Sequence, residues 1–335
     1  MSRVVKFKQL GSSDVLFIEQ RPIPSPQLDE VVLEVKAIGM NRADIMLRTG
    51  NYLEKATFPS QLGFEAAGTV IQTGSSVTRY KVGDNVCVLP GFNLSQYGTY
   101  ADHAVLPEHF IIPLPENASF QQGAALWMSY LTAYGGLCVA TTIKEGDWVA
   151  ITAASSSVGL AAIQIVKQLG GKPLALTLTS EKTDALLRAG AEAVIATLEE
   201  SLVEQIMNIT GSGIQVAFDA VGGPQVTSLA EVMTPHGTII VHGALSSDVT
   251  TYPLKLALKK SLTIRGYVYT EVTRSHVKLD NAFQFISQGL MEGMIRPQID
   301  RVFSLENVQD AHRYLESNKQ FGKVIIATST GNAQA

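Results

Sequence analysis

Cysteine is almost absent from this sequence of 335 residues, which contains only Cys87 and Cys138. Two cysteines exclude a disulfide framework and a cysteine-rich zinc site. Long apolar runs are also absent, since no run approaches the roughly 20 residues that cross a bilayer. The opening run MSRVVKFKQL has no continuous apolar stretch of the signal-peptide type. We therefore expect a cytoplasmic protein without a membrane partner.

Strong charge of either sign is missing as well. Lys and Arg number 26, Asp and Glu number 30, and the formal net charge is -4. This mild balance argues against nucleic acid as a partner and leaves a small molecule as the expected one. Hydrophobic residues make up 46% of the chain and charged residues 17%, which is typical of a globular protein with a large core. The length suggests about two domains.

The strongest pattern in the chain lies between Asp147 and Gly171. A β-type run at Trp148–Thr152 is followed by small residues, then by apolar residues at helical spacing, until Gly170 and Gly171 end the helix. A strand, a tight turn and a helix amino terminus together form an anion cradle, where a dinucleotide fold binds pyrophosphate. The predicted cofactor-binding residues of this turn are Ser155, Ser156, Ser157, Val158 and Gly159.

The glycine fingerprint of that turn is degraded. Only Gly159 remains of the pattern G-x-G-x-x-G, which here reads Ala-Ser-Ser-Ser-Val-Gly. Serine is small and can bond to phosphate, but it tolerates left-handed backbone poorly. The alternative for this stretch alone is a buried parallel strand that enters a helix in any α/β domain.

The order of strand-like and helix-like runs predicts two domains. Residues 1–122 are rich in short β-prone runs, which favours a partly open barrel. Residues 123–269 alternate strands with helices, which predicts a doubly wound parallel sheet of six strands, the Rossmann type of α/β fold. Residues 270–335 are mixed, and we expect the last strand, KVIIA, to return to the first domain. The predicted first domain is therefore 1–122 with 270–335.

Ten runs occur in a characteristic order: MNRADIMLRTGNY, LGFEAAGTV, YKVGDNVCVLP, GTYADHAVLP, LTAYGGL, KEGDWVAITAASSSVGLAAIQIVKQLG, LLRAGAEAVI, GIQVAFDAVGG, HGTIIVHGALS and FGKVIIA. Together they resemble the medium-chain dehydrogenase/reductases, and specifically their zinc-free quinone oxidoreductase branch. The resemblance implies a GroES-like first domain and an NAD(P)H-dependent oxidoreductase that passes hydride to a quinone or an α,β-unsaturated carbonyl. We also expect a homodimer, because the edge strand SLTIRGYVY could continue the sheet across an interface between two subunits.

The resemblance also bears on zinc. In the zinc-binding alcohol dehydrogenases a cysteine ligand would fall at Asn41 and a histidine ligand at Phe64. An amide and a phenyl ring cannot replace a thiolate and an imidazole, and Glu65 alone does not hold zinc. We predict that this chain binds no zinc.

The end of the second Rossmann strand predicts the cofactor. An acid there binds the ribose 2′-OH of NAD, but KPLALTLTSEK has none before Glu181. Lys182 matches a lysine that resembling enzymes place on the 2′-phosphate, although Thr197 stands where they often have a tyrosine. We predict NADPH over NADH, held by Thr177, Thr179, Ser180 and Lys182. Alternatively, Thr179 and Ser180 only cap a helix that begins at Glu181.

The remaining site residues follow from the resemblance. Further cofactor contacts are expected at Thr132, Val221, Gly243, Ala244, Leu245, Tyr267 and Tyr269. The expected catalytic residues are Asn41 and Tyr52. Tyr52 matches the proton donor of enoyl-thioester reductases, but the alternative is a loop aromatic that shapes the pocket. Tyr130 is a weaker donor candidate, and His242 is more typical of packing than of catalysis.

Two alternative functions remain open at this point. One is a 2-enoyl-thioester reductase, which would use Tyr52 as its proton donor. The other is a nucleotide-binding protein without turnover, which would act as a sensor. Neither the acceptor nor the role of Tyr52 is determined by these patterns.

Overall fold

A computed structural model describes residues 1–329, and these residues form two units. The first unit contains Met1–Met128 and the chain from Pro297 onward, and the second is Ser129–Arg296. The predicted boundaries differ chiefly over residues 270–296, which belong to the second unit. The reason is packing, because the Phe285 ring lies 5.3 Å from the Tyr134 ring, centroid to centroid. Residues 330–335 of the predicted first domain lie outside the described residues.

The strands define three sheets. In chain order they are β1 (Ser2–Phe7), β2 (Phe17–Arg21), β3 (Glu30–Gly39), β4 (Ser60–Gln61), β5 (Glu65–Thr73), β6 (Asn85–Val88), β7 (His103–Pro107), β8 (Ile111–Pro113), β9 (Trp148–Ile151), β10 (Lys172–Thr177), β11 (Ala193–Ala196), β12 (Ile214–Asp219), β13 (Met233–Val241), β14 (Thr263–Gly266), β15 (Ile299–Ser304) and β16 (Lys323–Ala327). The first unit contains a sheet ordered β2-β1-β4 and a sheet ordered β15-β16-β3-β5-β6-β8, with β7 paired to β3.

The helices cover these sheets. They are α1 (Arg42–Thr49), α2 (Phe120–Ala124), α3 (Trp127–Tyr134), α4 (Ser157–Gln168), α5 (Thr183–Arg188), α6 (Leu202–Thr210), α7 (Gln225–Val232), α8 (Leu254–Lys260), α9 (Thr270–Thr273), α10 (His276–Met291) and α11 (Val308–Glu316). A π-helical turn, Gly135–Val139, follows α3. Within residues 1–329 no helix combines the length and the apolarity needed to cross a membrane.

The second unit contains the predicted Rossmann sheet. Its order is β11-β10-β9-β12-β13-β14 and all its pairings are parallel, which confirms the doubly wound arrangement. Val149, Ala150 and Ile151 of β9 are fully buried, as expected for the central strand of a sheet covered on both faces. The strand order reverses at β9, so the turn after β9 lies where such folds bind ligands.

The last strand returns to the first unit, as predicted. β16 pairs antiparallel with β3, and Ile326 lies opposite Ile38. Both side chains are fully buried, so the pairing completes the apolar core of the seven-stranded sheet. It also brings Lys323, the first residue of β16, next to the carboxyl end of β3.

Candidate cofactor and catalytic sites

The turn between β9 and α4, residues Ser155–Gly159, is named here the cradle. Ser156 is the N-cap of α4, and its Oγ accepts the backbone N–H of Gly159 at 3.0 Å. The N–H groups of Ser157 and Val158 belong to the first helical turn, where no intrahelical partner exists. Together with the positive end of the helix dipole they can bind an anion. The five residues predicted for the pyrophosphate are therefore brought together.

The one surviving glycine is required by close packing. A Cβ on Gly159 would lie 2.6 Å from both Cα and the carbonyl oxygen of Ala154, closer than real contacts allow. The left-handed backbone of the turn is adopted by Ala153, with φ 47, whereas Ser156 has an ordinary φ of -72. The serines of the cradle are tolerated because the strained position falls before them.

The turn after β10 lies beside the cradle. Lys182 donates from Nζ to Ser155 Oγ at 3.2 Å, so an ammonium group reaches the first serine of the cradle. Thr179 is the N-cap of a short 3-10 turn, Ser180–Lys182, and in the described chain its side chain makes no capping bond. α5 begins at Thr183 and not at Glu181. The structure therefore does not support a capping role for the Thr179 side chain.

Thr177, the last residue of β10, is buried. Its carbonyl oxygen accepts the Thr197 N–H at 2.8 Å.

Glu199 is an acid that sequence reasoning missed at this edge. It follows β11, yet its Oε1 accepts the backbone N–H of Ser180 at 3.1 Å. β10 and β11 are parallel neighbours, with Thr177 opposite Ala196, so the turns after both strands lie at the same edge. The end of β10 has no acid of its own, but the turn after β11 places the Glu199 carboxylate beside it.

Asp219, at the end of β12, ties the ends of two strands together. Its Oδ1 accepts Thr152 Oγ1–H at 2.8 Å and the Val221 N–H at 3.0 Å, and its Oδ2 accepts the Gly222 N–H at 2.8 Å. Thr152 Oγ1 in turn accepts the Ala220 N–H at 2.7 Å. The aspartate is fully buried. It fixes the loop that contains the predicted contact Val221, a role that the run IQVAFDAVGG did not reveal.

The loops after β13 and β14 bring further predicted residues to the same edge. Gly243 lies against Ala220, because a Cβ there would be 2.6 Å from the Ala220 carbonyl oxygen. Leu245 donates its N–H to that oxygen at 3.2 Å, so Ala244 lies on a loop fixed at both sides. Tyr267 donates its N–H to the Val241 carbonyl at 2.9 Å.

The tyrosines and Thr132 are mostly buried in this unit. The hydroxyl of Tyr267 donates to the Leu131 carbonyl at 3.2 Å, so its side chain packs in the core while its backbone remains at the sheet edge. Tyr269 is 9% exposed and Thr132, on α3, is 8% exposed. Tyr130 donates to Gln164 Oε1 at 2.7 Å and burial raises its pKa, which argues against the weaker proton-donor candidate.

His242 packs and does not titrate near neutral pH. Its ring stacks on Phe218 with centroids 3.9 Å apart and an interplanar angle of 17°. Burial lowers the pKa of His242 to about 3, so its imidazole is neutral. The expectation that His242 is a packing residue fits this geometry.

In the first unit Asn41, Glu65 and Lys323 form what we name the amide cluster. Lys323 Nζ donates to Asn41 Oδ1 at 2.8 Å and also to Glu65 Oε1. Asn41 Nδ2 donates to Glu65 Oε1 at 3.0 Å and to the Gly39 carbonyl at 3.2 Å. Both amide N–H bonds are thus used inside the protein. In this arrangement Asn41 has no amide donor left for a substrate.

The amide cluster extends to one further acid, Asp44, and to backbone amides. Glu65 Oε2 accepts the Met128 N–H at 3.0 Å. Asp44 is fully buried and accepts the N–H of Asn41 at 2.8 Å and that of Gly63 at 3.0 Å. Burial raises the pKa of Asp44 to about 7. Sequence reasoning missed Asp44 and Lys323, since their partners are distant in the chain or are backbone groups.

The donor set at the amide cluster does not suit a metal ion. The side chains of Lys323 and Glu65 are each 1% exposed, and the Lys323 ammonium lies against the carboxylate oxygen that accepts from the Asn41 amide. Phe64 is 2% exposed and offers no donor atom. Over residues 1–329 no three His, Cys, Asp or Glu side chains group so that they could hold a metal ion.

Tyr52 follows α1 and packs on an aromatic neighbour. α1 ends at a left-handed Gly50, with φ 81, and the chain then turns to Tyr52. The Tyr52 and Phe64 rings meet edge to face, with centroids 5.5 Å apart. The ring of Tyr52 is half-buried, which fits both the pocket-shaping role and the donor role.

Comparisons with known proteins identify the class. Residues 27–116 match the alcohol dehydrogenase GroES-like domain, and residues 189–326 match the family described as zinc-binding dehydrogenase. Quinone oxidoreductase 1 of Escherichia coli K12 is 32% identical over 336 residues, which cover 97% of this chain and 99% of that protein. The chain belongs to the medium-chain dehydrogenase/reductase superfamily, in its quinone oxidoreductase-like branch, as predicted.

Solved structures agree with this class. The E. coli quinone oxidoreductase complexed with NADPH is 30% identical, with a TM-score of 0.90 over 98% of this chain and 100% of that one. An NAD-dependent alcohol dehydrogenase is 28% identical, with a TM-score of 0.89 over 97% of this chain and 99% of that one. The predicted GroES-like and Rossmann folds are confirmed, and the chain is an NAD(P)H-dependent oxidoreductase.

Proposed function

We propose that this protein is an NADPH-dependent reductase, working without zinc, that transfers hydride to a quinone or to an α,β-unsaturated carbonyl compound. The observation that carries the proposal is the Lys182 ammonium 3.2 Å from Ser155 Oγ. It gives the cradle a fixed positive charge beside the hydroxyls of Thr179 and Ser180. Hydroxyl donors and one ammonium suit a phosphate monoester.

The proposed division of labour is simple. NADPH would supply the hydride, which is the cofactor's own chemistry. The cradle would bind its pyrophosphate through backbone N–H groups, and the turn of Lys182 would bind its 2′-phosphate. The loops after β12, β13 and β14, held by Asp219 and Ala220, would fix the position of the rest of the cofactor. The protein's contribution is therefore chiefly binding and orientation.

The zinc-free part of the proposal has its own support. A catalytic zinc needs thiolate, imidazole or carboxylate ligands and an open coordination position. At the amide cluster the one carboxylate, Glu65, is engaged by Lys323, Asn41 and the Met128 N–H. These residues therefore do not fit a catalytic zinc. Metal analysis of the purified protein tests this, and a stoichiometric zinc that chelators remove together with activity would refute it.

Nucleotide titration tests the cofactor. Thermal melting and intrinsic fluorescence of the whole protein are followed against NADPH and against NADH. We expect both nucleotides to raise the melting temperature, because a ligand that binds only the folded state stabilises it, and we expect NADPH to bind more tightly. A melting temperature that neither nucleotide changes would refute the proposed function. Tighter binding of NADH than of NADPH would refute the proposed preference for NADPH.

A substrate screen with Tyr52→Phe tests the acceptor. NADPH oxidation is followed at its absorbance with quinones, enones and enoyl thioesters. If Tyr52 only shapes the pocket, as we favour, the variant keeps quinone turnover within about twofold of the wild type. A loss of about a hundredfold, the lower range for a general acid, with activity confined to enoyl thioesters would instead identify the alternative enoyl-thioester reductase.

The proposal includes a homodimer in the cytoplasm. β14 is the edge strand of the six-stranded sheet, and an unpaired edge can continue a sheet into a second copy. Sedimentation of the wild type is compared with that of Ile264→Pro, which removes one strand N–H. Dimers of both proteins with equal stability would rule out this edge as the interface.

A further inference from the structure

An acidic side chain faces the turn that would bind the 2′-phosphate. Glu199 Oε1 lies 3.1 Å from the backbone nitrogen of Ser180. Residues 197–199 form a turn after β11, in which Thr197 and Leu198 donate N–H bonds of 2.8 and 3.0 Å to the carbonyls of Thr177 and Leu178. These backbone bonds hold the Glu199 carboxylate opposite the turn that follows β10.

The turn that contains Ser180 also carries a positive charge, which is opposite in sign to the Glu199 carboxylate. Lys182 lies two residues after Ser180, and its ammonium bonds to Ser155. In dinucleotide folds an acid near the end of the second strand binds the ribose 2′-OH and disfavours a 2′-phosphate. This edge thus contains both determinants, a lysine that attracts the phosphate and a glutamate from the neighbouring turn that opposes it.

We propose that Glu199 is a specificity-determining residue that weakens binding of the 2′-phosphate and so narrows the preference for NADPH over NADH. The inference rests on the proposed NADPH-dependent function. A phosphate monoester carries about 1.5 to 2 negative charges near neutral pH, and it would compete with the carboxylate for the Ser180 N–H. The 2′-OH of NADH is neutral and can donate to the same carboxylate.

The test measures dissociation constants of NADPH and NADH for the whole protein by fluorescence titration. Glu199→Gln keeps an oxygen acceptor for the Ser180 N–H and removes only the charge. Glu199 is exposed, so we expect a moderate effect: NADPH binds about fivefold more tightly, the range of an exposed charge pair, and NADH changes by less than about twofold. The gain should shrink in 0.5 M salt, because exposed charges are screened.

A matched control is offered by Glu200. Its Oε2 accepts the Ala196 N–H at 3.0 Å, so Glu200→Gln removes the same charge from the same turn without facing Ser180. We expect it to change the NADPH to NADH affinity ratio by less than about twofold. Glu199→Lys should raise NADPH affinity further than Glu199→Gln does.

Three results would overturn the role of Glu199. They are an unchanged affinity ratio in Glu199→Gln, an equal weakening of both nucleotides, and a gain in Glu200→Gln that matches the gain in Glu199→Gln. Each of these still shows nucleotide binding by the wild type, so the proposed function survives them. Failure of the proposed function itself is different, since the wild type would then bind neither nucleotide.

Discussion

The amide cluster of the first unit and the cradle of the second differ in whether their polar groups bond within the protein. In the amide cluster the charged and amide groups satisfy one another, and Lys323 and Glu65 are almost completely shielded from water. In the cradle, N–H groups of Ser157 and Val158 lie in a first helical turn that cannot use them. A closed polar network holds a fold together, whereas an incomplete one can receive a ligand. Four predictions test this contrast, from the largest effect to the smallest.

Removal of the buried ammonium should be the most damaging change. Lys323→Met leaves Glu65 as an uncompensated buried charge, which costs about 3 to 5 kcal/mol of unfolding free energy. Urea unfolding measures this. In the double variant Lys323→Met with Glu65→Gln we expect most of the loss to be recovered, because Glu65 no longer leaves an uncompensated charge.

An exposed pair serves as the control for that prediction. Arg313 bonds to Asp14 with both side chains at least half exposed, and Arg313→Met should lower the free energy of unfolding far less than Lys323→Met does. If Lys323→Met were as mild as Arg313→Met, the amide cluster would not be the closed network described above.

The free energy of unfolding below pH 7 should depend on a buried histidine. His312 is fully buried, and burial lowers its pKa to about 3. The unfolded chain therefore takes up the proton first, near pH 6.5, and stability present above that pH is lost as the pH falls. Between pH 7 and pH 5 the contribution of His312 to this loss is about 2 kcal/mol, while the raised pKa of Asp44 contributes in the opposite direction over the same window.

His312→Leu should remove that part of the slope. Urea unfolding at pH 7, 6 and 5 gives the comparison, with His276→Leu on the exposed start of α10 as the control. The wild-type slope should persist in the control. A slope that is equally steep in His312→Leu would assign the acid sensitivity to other groups.

Gly159→Ala should disturb the cradle more than the fold. The added methyl group would overlap Ala154, and overpacking of this kind costs about 1 to 3 kcal/mol. We expect about a tenfold or greater loss of NADPH affinity as the turn shifts. Titration with thermal melting of the free protein separates the two effects, and a variant with wild-type affinity would contradict the proposed cradle.

Lys182→Met should have the smallest of these effects and should act on one nucleotide only. Loss of a charge-assisted contact to the 2′-phosphate weakens NADPH binding by about tenfold and leaves NADH within about twofold. Lys172, at the opposite end of β10, provides Lys172→Met as a control with the same charge change. Equal weakening of NADPH and NADH in Lys182→Met would show that the lysine supports the turn and not the phosphate.

Patterns that are local in the chain were predictable. The run from Trp148 to Gly170 contains its strand, its turn and its helix stop within one window, and β9 and α4 follow the predicted order. The alternation of strands and helices likewise predicted a six-stranded parallel sheet. Local periodicity suffices here because each element buries its own apolar face.

Contacts between distant residues were not predictable in the same way. Glu65 and Lys323 are 258 residues apart, and their pairing depends on the register of β16 on β3. Glu199 meets Ser180 because the turns after the parallel neighbours β10 and β11 lie at the same edge of the sheet. The placement of residues 270–296 in the second unit is a similar case, since the packing of Phe285 on Tyr134 cannot be inferred from either segment alone. Long-range register has no signature in a single sequence.

The distance between Glu65 and Lys323 along the chain has a consequence for biosynthesis. Glu65 emerges from the ribosome 258 residues before its counter-charge does. Until then the first unit contains an acid that it cannot bury, so its sheet should remain open while the second unit is already able to fold. A nascent chain stalled before residue 323 should therefore be sensitive to proteases in residues 1–128 and resistant in residues 129–296.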